Sequence, residues 1–224
     1  PLDFKIFLIF LSKKNSKVIF FSSSEIYGDP DINNIPTSET YRGNVSSLGP
    51  RSCYDESKRL GETICYVQSR NFSRNSSIIR PFNVYGPGMN INDYRIIPNI
   101  TKSLITNDQL KIYDKGKQTR TYCHIVDAMN GFLRVIFEES KFSVYNIGNN
   151  KNEIDVKNLV KLSEKVTNKK INYKITKYPE EYPADQPNRR CPNINLAKNN
   201  LKYFPKIHLK EGLKRHYKFA IDNY

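Results

Sequence analysis

Apolar positions along the chain fall into short runs whose spacing changes from stretch to stretch. Phe4, Phe7, Leu8 and Leu11 recur at three- and four-residue intervals and predict a helix over residues 2–15. Val18-Ile19-Phe20-Phe21 is an unbroken apolar run and predicts a buried strand over 17–22. Residues 31–49 contain Pro36, Gly43 and Gly49, with Pro50 behind them, and read as a loop bordering a site. A helix over 52–70 comes next, with Leu60, Ile64 and Val67 on its buried side. Ser76–Arg80 then reads as a strand stopped by Pro81, and Gly86-Pro87-Gly88 opens a wide turn. Further on, the pattern predicts helices over 95–106, 125–138 and 155–167, strands at 110–113, 143–148 and 171–175, and a closing helix over 209–222. Pro179, Pro183 and Pro187 mark a long loop before that last helix. Strands alternating with helices predict an α/β protein.

Composition narrows the picture. With 224 residues the chain is long enough for one large domain or one and a half. Cys53, Cys65, Cys123 and Cys191 are scattered, with no C-x-x-C and no histidine at the short spacing of a zinc-ligand pair. That spacing argues against a zinc site or a disulfide framework and suits a reducing, cytoplasmic setting. No metal is expected, and His124, His208 and His216 read as structural. No apolar run is long enough for a membrane span, and no signal-peptide pattern is read. The formal charge of +14 would suit nucleic acid, a membrane surface or an anionic small molecule. The lysines are spread among Asn and Ile and do not cluster with aromatics, so nucleic acid is discounted and an anionic substrate retained.

The chemistry concentrates in two stretches. Tyr54 and Lys58 lie four apart on the predicted helix, so they share a face. An ammonium beside a phenol favours the ionised phenol, which can take a proton from a sugar hydroxyl while hydride leaves the same carbon. A solvated helix face would produce the same spacing. The second stretch is Ser22-Ser23-Ser24-Glu25-Ile26-Tyr27-Gly28-Asp29-Pro30, directly after the apolar strand. Hydroxyls and a carboxylate there would sit at the carboxyl edge of a sheet, where open α/β folds place their sites. A serine-rich turn is the plainer alternative.

Together with Gly43-Asn44-Val45, Arg51-Ser52-Cys53-Tyr54-Asp55-Glu56-Ser57-Lys58-Arg59, Arg80-Pro81-Phe82-Asn83-Val84-Tyr85-Gly86-Pro87, Gly116-Lys117-Gln118-Thr119-Arg120 and Arg189-Arg190-Cys191-Pro192, these stretches resemble the extended short-chain dehydrogenase/reductase superfamily. Within it the chain is most similar to the UDP-glucuronate decarboxylases, from Ser16 to about His216. The resemblance implies a Rossmann-like doubly wound parallel sheet with a smaller mixed α/β substrate-binding region. It implies a division into residues 1–88, with 119–148 returning to the same sheet, and 89–224. The first glycine is Gly28, so the glycine-rich turn that opens the superfamily's first βαβ unit has no counterpart. The expectation is that about the first third of a family member is missing. Residues 1–224 alone are then expected to aggregate and not to turn over substrate.

What the resemblance implies for the site is specific. NAD would take and return hydride at sugar C4. Tyr54 would be the base, Lys58 would hold the nicotinamide ribose, and Ser22 and Phe82 would also contact the cofactor. Ser23 would meet the C4 oxygen. Ser24 and Glu25 would complete the catalytic set, with Ser24 where the dehydratases carry an acid, which fits decarboxylation. Arg190 would face the sugar carboxylate, with Arg189 as a competitor. Asn83, Arg95 and Arg120 would bind the nucleotide sugar, and Cys191 and Gly88 depart from the family pattern. A homodimer is implied, built from helices 2–15 and 52–70. The rivals are another epimerase or dehydratase of the superfamily, and a remnant that binds nucleotide sugar without turnover.

Overall fold

The computed structural model describes residues 16–178 and 187–224. The helix expected over 2–15, with Phe4, Phe7, Leu8 and Leu11, lies outside the described residues, as do Pro179 and Pro183. The first described element is β1 (Val18–Phe21), followed by a 3-10 turn at Ser24–Tyr27 and a second at Ile32–Asn34. Next come α1 (Ser52–Phe72), β2 (Ser76–Pro81), β3 (Val84–Tyr85), α2 (Ile96–Thr106), β4 (Leu110–Tyr113), β5 (Thr119–Arg120), β6 (Cys123–His124), α3 (Ile125–Ile136) and β7 (Phe142–Ile147). The chain ends with β8 (Ile154–Asp155), α4 (Val156–Thr167), β9 (Tyr173–Thr176), β10 (Arg189–Arg190), α5 (Asn195–Leu201) and α6 (Leu209–Asn223).

The principal sheet is parallel, in the order β1-β2-β7. Its centre is β2, buried from Ser76 to Arg80, as a strand flanked on both sides requires. β1 was expected to be buried too, but its residues are half-buried and Phe21 is 43% exposed. Among the described residues β1 pairs on one side only, with β2, which leaves that face and edge open. Ile79, Cys123, Ala128, Tyr145, Ile147 and Tyr203 form the core beneath this sheet.

The helix α1 corrects a second expectation. Its buried residues are Asp55, Gly61, Cys65 and Gln68, while Leu60 and Val67 are exposed. The buried stripe is one residue away from the apolar one, a rotation of about 100°. Gly61 decides it: a Cβ there would lie 2.2 Å from Phe20 Cζ, so the helix backbone seats directly on that ring. Arg80 ties the same helix to the sheet. Its Nε and Nη2 donate to the two oxygens of Glu62 at 2.9 and 2.6 Å, and Nη1 donates to Tyr27 Oη at 2.6 Å.

A second group of elements packs β4 and β9 against α2, α4 and α6 around Ile97, Ile100, Ile112, Leu159, Leu213 and Tyr217. Three short strands, in the order β10-β5-β8, carry residue 190 back towards the end of β1. The loop expected to border the site does something else. Thr37 N donates to Cys191 O and Glu39 Oε1 accepts from Asn146 N, so residues 31–49 close over the ends of the sheet. No helix among the described residues is long and apolar enough to cross a membrane.

Candidate active site

A cleft of about 630 Å³ opens between the carboxyl ends of β1 and β2 and the second group of elements. Ser22, Ser23, Ser24 and Glu25 form one wall, with Arg51, just before α1, and Tyr54 of α1 beside them. Asn83, Arg95, Tyr113, Arg120 and Tyr178 lie around the remainder.

The wall begins where β1 ends. Ser22 N still donates to Ile79 O at 2.8 Å, but Ser22 Oγ is buried and finds no partner among the described residues. Ser23 is extended, and its Oγ accepts from Glu25 N at 3.2 Å, so it caps the 3-10 turn. Gly28 ends that turn at φ +60, where a Cβ would sit 1.7 Å from Asn44 O; only glycine fits. This local geometry turns the Glu25 carboxylate outward between two guanidinium groups. One is Arg51, whose Nη2 pairs with Glu25 Oε2, and the other is Arg190, whose Nη1 lies 2.6 Å from Glu25 Oε1.

Tyr54 and Lys58 come together as their spacing predicts. Lys58 Nζ lies 5.7 Å from the Tyr54 ring centroid and donates to Phe21 O at 3.0 Å. Tyr54 lines the cleft and is 49% exposed, whereas Lys58 is off the wall. Beneath them Asp55 is buried, and burial raises its carboxyl pKa against the opposing pull of Arg51, whose Nε is 3.7 Å away.

Two further expected site residues do not line the cleft. Phe82 is packed in the core against Tyr27, with ring centroids 5.8 Å apart, and does not reach the cleft. Arg190, expected to face a carboxylate ligand, is 2% exposed and lies behind the wall. Its Nη1 donates to Ser24 Oγ at 3.1 Å and its Nη2 to Gly28 O at 3.0 Å. Burial pulls its pKa down to about 10, against the pull of Glu25, so it stays charged near neutral pH. Arg189 points the other way along the strand and is held by Glu153 at 2.6 and 2.8 Å.

Asn83 lines the cleft at φ +44 with its Nδ2 donating to Thr121 O at 2.9 Å. Arg120 is fixed by carbonyls: Nη1 donates to Thr119 O at 2.8 Å and Nη2 to Pro187 O at 2.6 Å. Arg95 is exposed and paired with Asp93 at 2.7 Å. Sequence reasoning gave no role to Arg51, although its place one turn before Tyr54 was visible. It also missed the stacked rings of Tyr113 and Tyr178, 5.1 Å apart at 25°, which come from the end of β4 and from the segment after β9 and carry no local signal. Among the described residues no three His, Cys, Asp or Glu side chains are grouped to hold a metal ion.

Residues 7–148 match the NAD dependent epimerase/dehydratase family. The chain is 37% identical over 198 residues to UDP-glucuronic acid decarboxylase 3 of Arabidopsis thaliana, covering 88% of this chain and 56% of that protein. It is 33% identical over 200 residues to UDP-glucuronic acid decarboxylase 1 of Xenopus tropicalis, covering 89% and 46%. Among solved structures, UDP-glucuronic acid 4-epimerase from Bacillus cereus, in complex with UDP-glucuronic acid and NAD, superposes with a TM-score of 0.77 at 27% identity, covering 93% of this chain and 62% of that one. The chain thus spans about half the length of the decarboxylases it matches.

Proposed function

Because the chain belongs to the NAD dependent epimerase/dehydratase family, we propose that the protein carrying it converts UDP-glucuronate to UDP-xylose and CO2 through a 4-keto sugar, with NAD as cofactor. The observation that carries this reading is the composition of one cleft: Tyr54, three serines and Glu25 stand beside Arg51, with Arg95 and Arg120 in the same cavity. Three guanidinium groups suit a substrate that bears both a diphosphate and a carboxylate.

The residues at the β1 end of the cleft fit the nicotinamide end of NAD. Ser22 Oγ is a buried hydroxyl in want of a partner among the described residues, Tyr54 lines the same cleft, and Lys58 donates to the carbonyl of Phe21, the residue before Ser22. NAD supplies the acceptor and later the donor of hydride at sugar C4. Tyr54 takes the C4 hydroxyl proton, and Lys58 supplies positive charge beside the phenol. Ser23 meets the C4 oxygen. The 4-ketone then accepts the electron pair of the C5–C6 bond as CO2 departs, and C5 is reprotonated. Ser24 has no acidic proton for expelling a hydroxyl, which favours this course over dehydration. Arg190 holds Ser24 and Glu25 in place from behind, and Asn83, Arg95 and Arg120 bind the nucleotide sugar.

A second reading is an epimerase, favoured by the likeness to the Bacillus cereus 4-epimerase. The test is the gene product carrying this chain, given NAD and UDP-glucuronate labelled at C6. Labelled CO2, a UDP-pentose and no net NADH are expected. A UDP-hexuronate that keeps its label would mean epimerisation, and binding without turnover would mean a carrier. The exposed Leu60 and Val67 on α1 support a homodimer through that face, to be checked by light scattering at micromolar concentration. The four free cysteines support a cytoplasmic location.

A further inference from the structure

We propose that Arg51 recognises the C6 carboxylate of the substrate and thereby sets specificity for an acidic sugar, an inference that rests on the reading above. Four arginines stand in or near the cleft, and the other three are each held by protein groups. Arg190 is buried behind the wall, and pulling it out would strip partners from Ser24, Glu25 and the Gly28 carbonyl. Arg120 is fixed by the carbonyls of Thr119 and Pro187. Arg95 stands at the start of α2 with Asp93 on its fork.

Arg51 differs in position and in spare capacity. Its carbonyl accepts from Tyr54 N at 3.0 Å, so the two side chains leave the start of α1 three residues apart, about 4.5 Å of helix rise. Tyr54 acts at C4, and the carboxylate is borne by C5, the next ring carbon. The cation one turn from the C4 base is therefore the one within reach of C6. Only 12% of the Arg51 side chain is exposed, and that part lies on the cleft wall between Glu25 and Tyr54. A guanidinium has five donors. Arg51 gives Nη2 to Glu25, its Nε is 3.7 Å from Asp55, and its Nη1 makes no bond among the described residues. An incoming carboxylate finds that open edge of the fork. Glu25 also keeps Arg190 at 2.6 Å, so it is not left unpaired if Arg51 turns towards the ligand.

The experiment measures binding of UDP-glucuronate and UDP-glucose by calorimetry to the NAD-loaded protein, and KM and kcat for UDP-glucuronate. Wild type, Arg51→Met, Arg51→Lys and Arg190→Met are compared. Arg51→Met is expected to weaken UDP-glucuronate binding roughly 10- to 100-fold, the worth of a charge-assisted bond. UDP-glucose binding should change by less than about twofold, and KM should move more than kcat. Arg51→Lys should recover part of the loss, because it keeps the charge without the fork. An equal loss for both sugars would give Arg51 a purely structural role and overturn the inference. A loss selective for glucuronate in Arg190→Met but absent in Arg51→Met would overturn it in favour of Arg190. A wild-type protein with no preference for the acidic sugar would instead fail the proposed function, and this inference with it.

Discussion

The Glu25 carboxylate shows how much one side chain can organise. It is shared by Arg51 from the start of a helix and by Arg190 from a strand, and it stands beside the phenol of Tyr54. Tyr54→Phe removes the proposed base while leaving the ring. It should cut turnover by about 10²- to 10⁴-fold with little change in substrate affinity, measured by steady-state rates and calorimetry side by side. An unchanged rate would remove Tyr54 from that role. The Tyr54–Lys58 pair was legible because helical spacing alone brings four-apart residues onto one face. The position of Arg190 was not legible. Its surroundings come from Ser24 and Gly28, 166 and 162 positions away, and no local pattern records that. Phe82 misled for a related reason, since its side chain packs on Tyr27 while its neighbours Pro81 and Asn83 line the cleft.

Among the elements, long periodic segments were readable and very short ones were not. The helices at Ser52–Phe72, Ile96–Thr106, Val156–Thr167 and Leu209–Asn223 lie within two residues of their expected bounds. β3, β5, β6, β8 and β10 are two residues each, too short to display an alternating pattern, and they went unseen. The face of α1 was misread because apolar character pointed to Leu60, Ile64 and Val67, whereas seating on Phe20 demanded the smallest residue. Gly61→Ala tests that account. Its added methyl meets the Phe20 ring, so about 1–3 kcal/mol of stability should be lost in urea denaturation, with turnover falling as Tyr54 shifts. A neutral effect would mean that Phe20 moves aside freely.

At the scale of the whole molecule, acid sensitivity follows from a histidine that does not line the cleft. His216 is buried, with Nδ1 2.9 Å from the Gly86 carbonyl oxygen and Nε2 2.9 Å from Thr101 Oγ1. Burial lowers its pKa from 6.5, against the Gly86 bond and with some help from His124. The unfolded chain therefore binds a proton near pH 6.5 that the folded chain refuses, so this contribution to stability is present above that pH and lost as pH falls below it. Urea midpoints should drop from pH 8 to about pH 5.5. The drop should be smaller in His216→Gln, and equal slopes would assign the effect to other groups. The bond from Arg190 to Ser24 has a consequence of another kind, in the order of events as the chain folds. Closing a loop of 166 positions is entropically slow compared with coiling a helix. Until it closes, Glu25 lacks its buried counter-charge and the wall has no backing. Refolding from urea should therefore recover helical circular dichroism first and nucleotide-sugar binding later, in stopped-flow traces followed in parallel, so that binding competence reports on the last long-range contact to form and not on collapse.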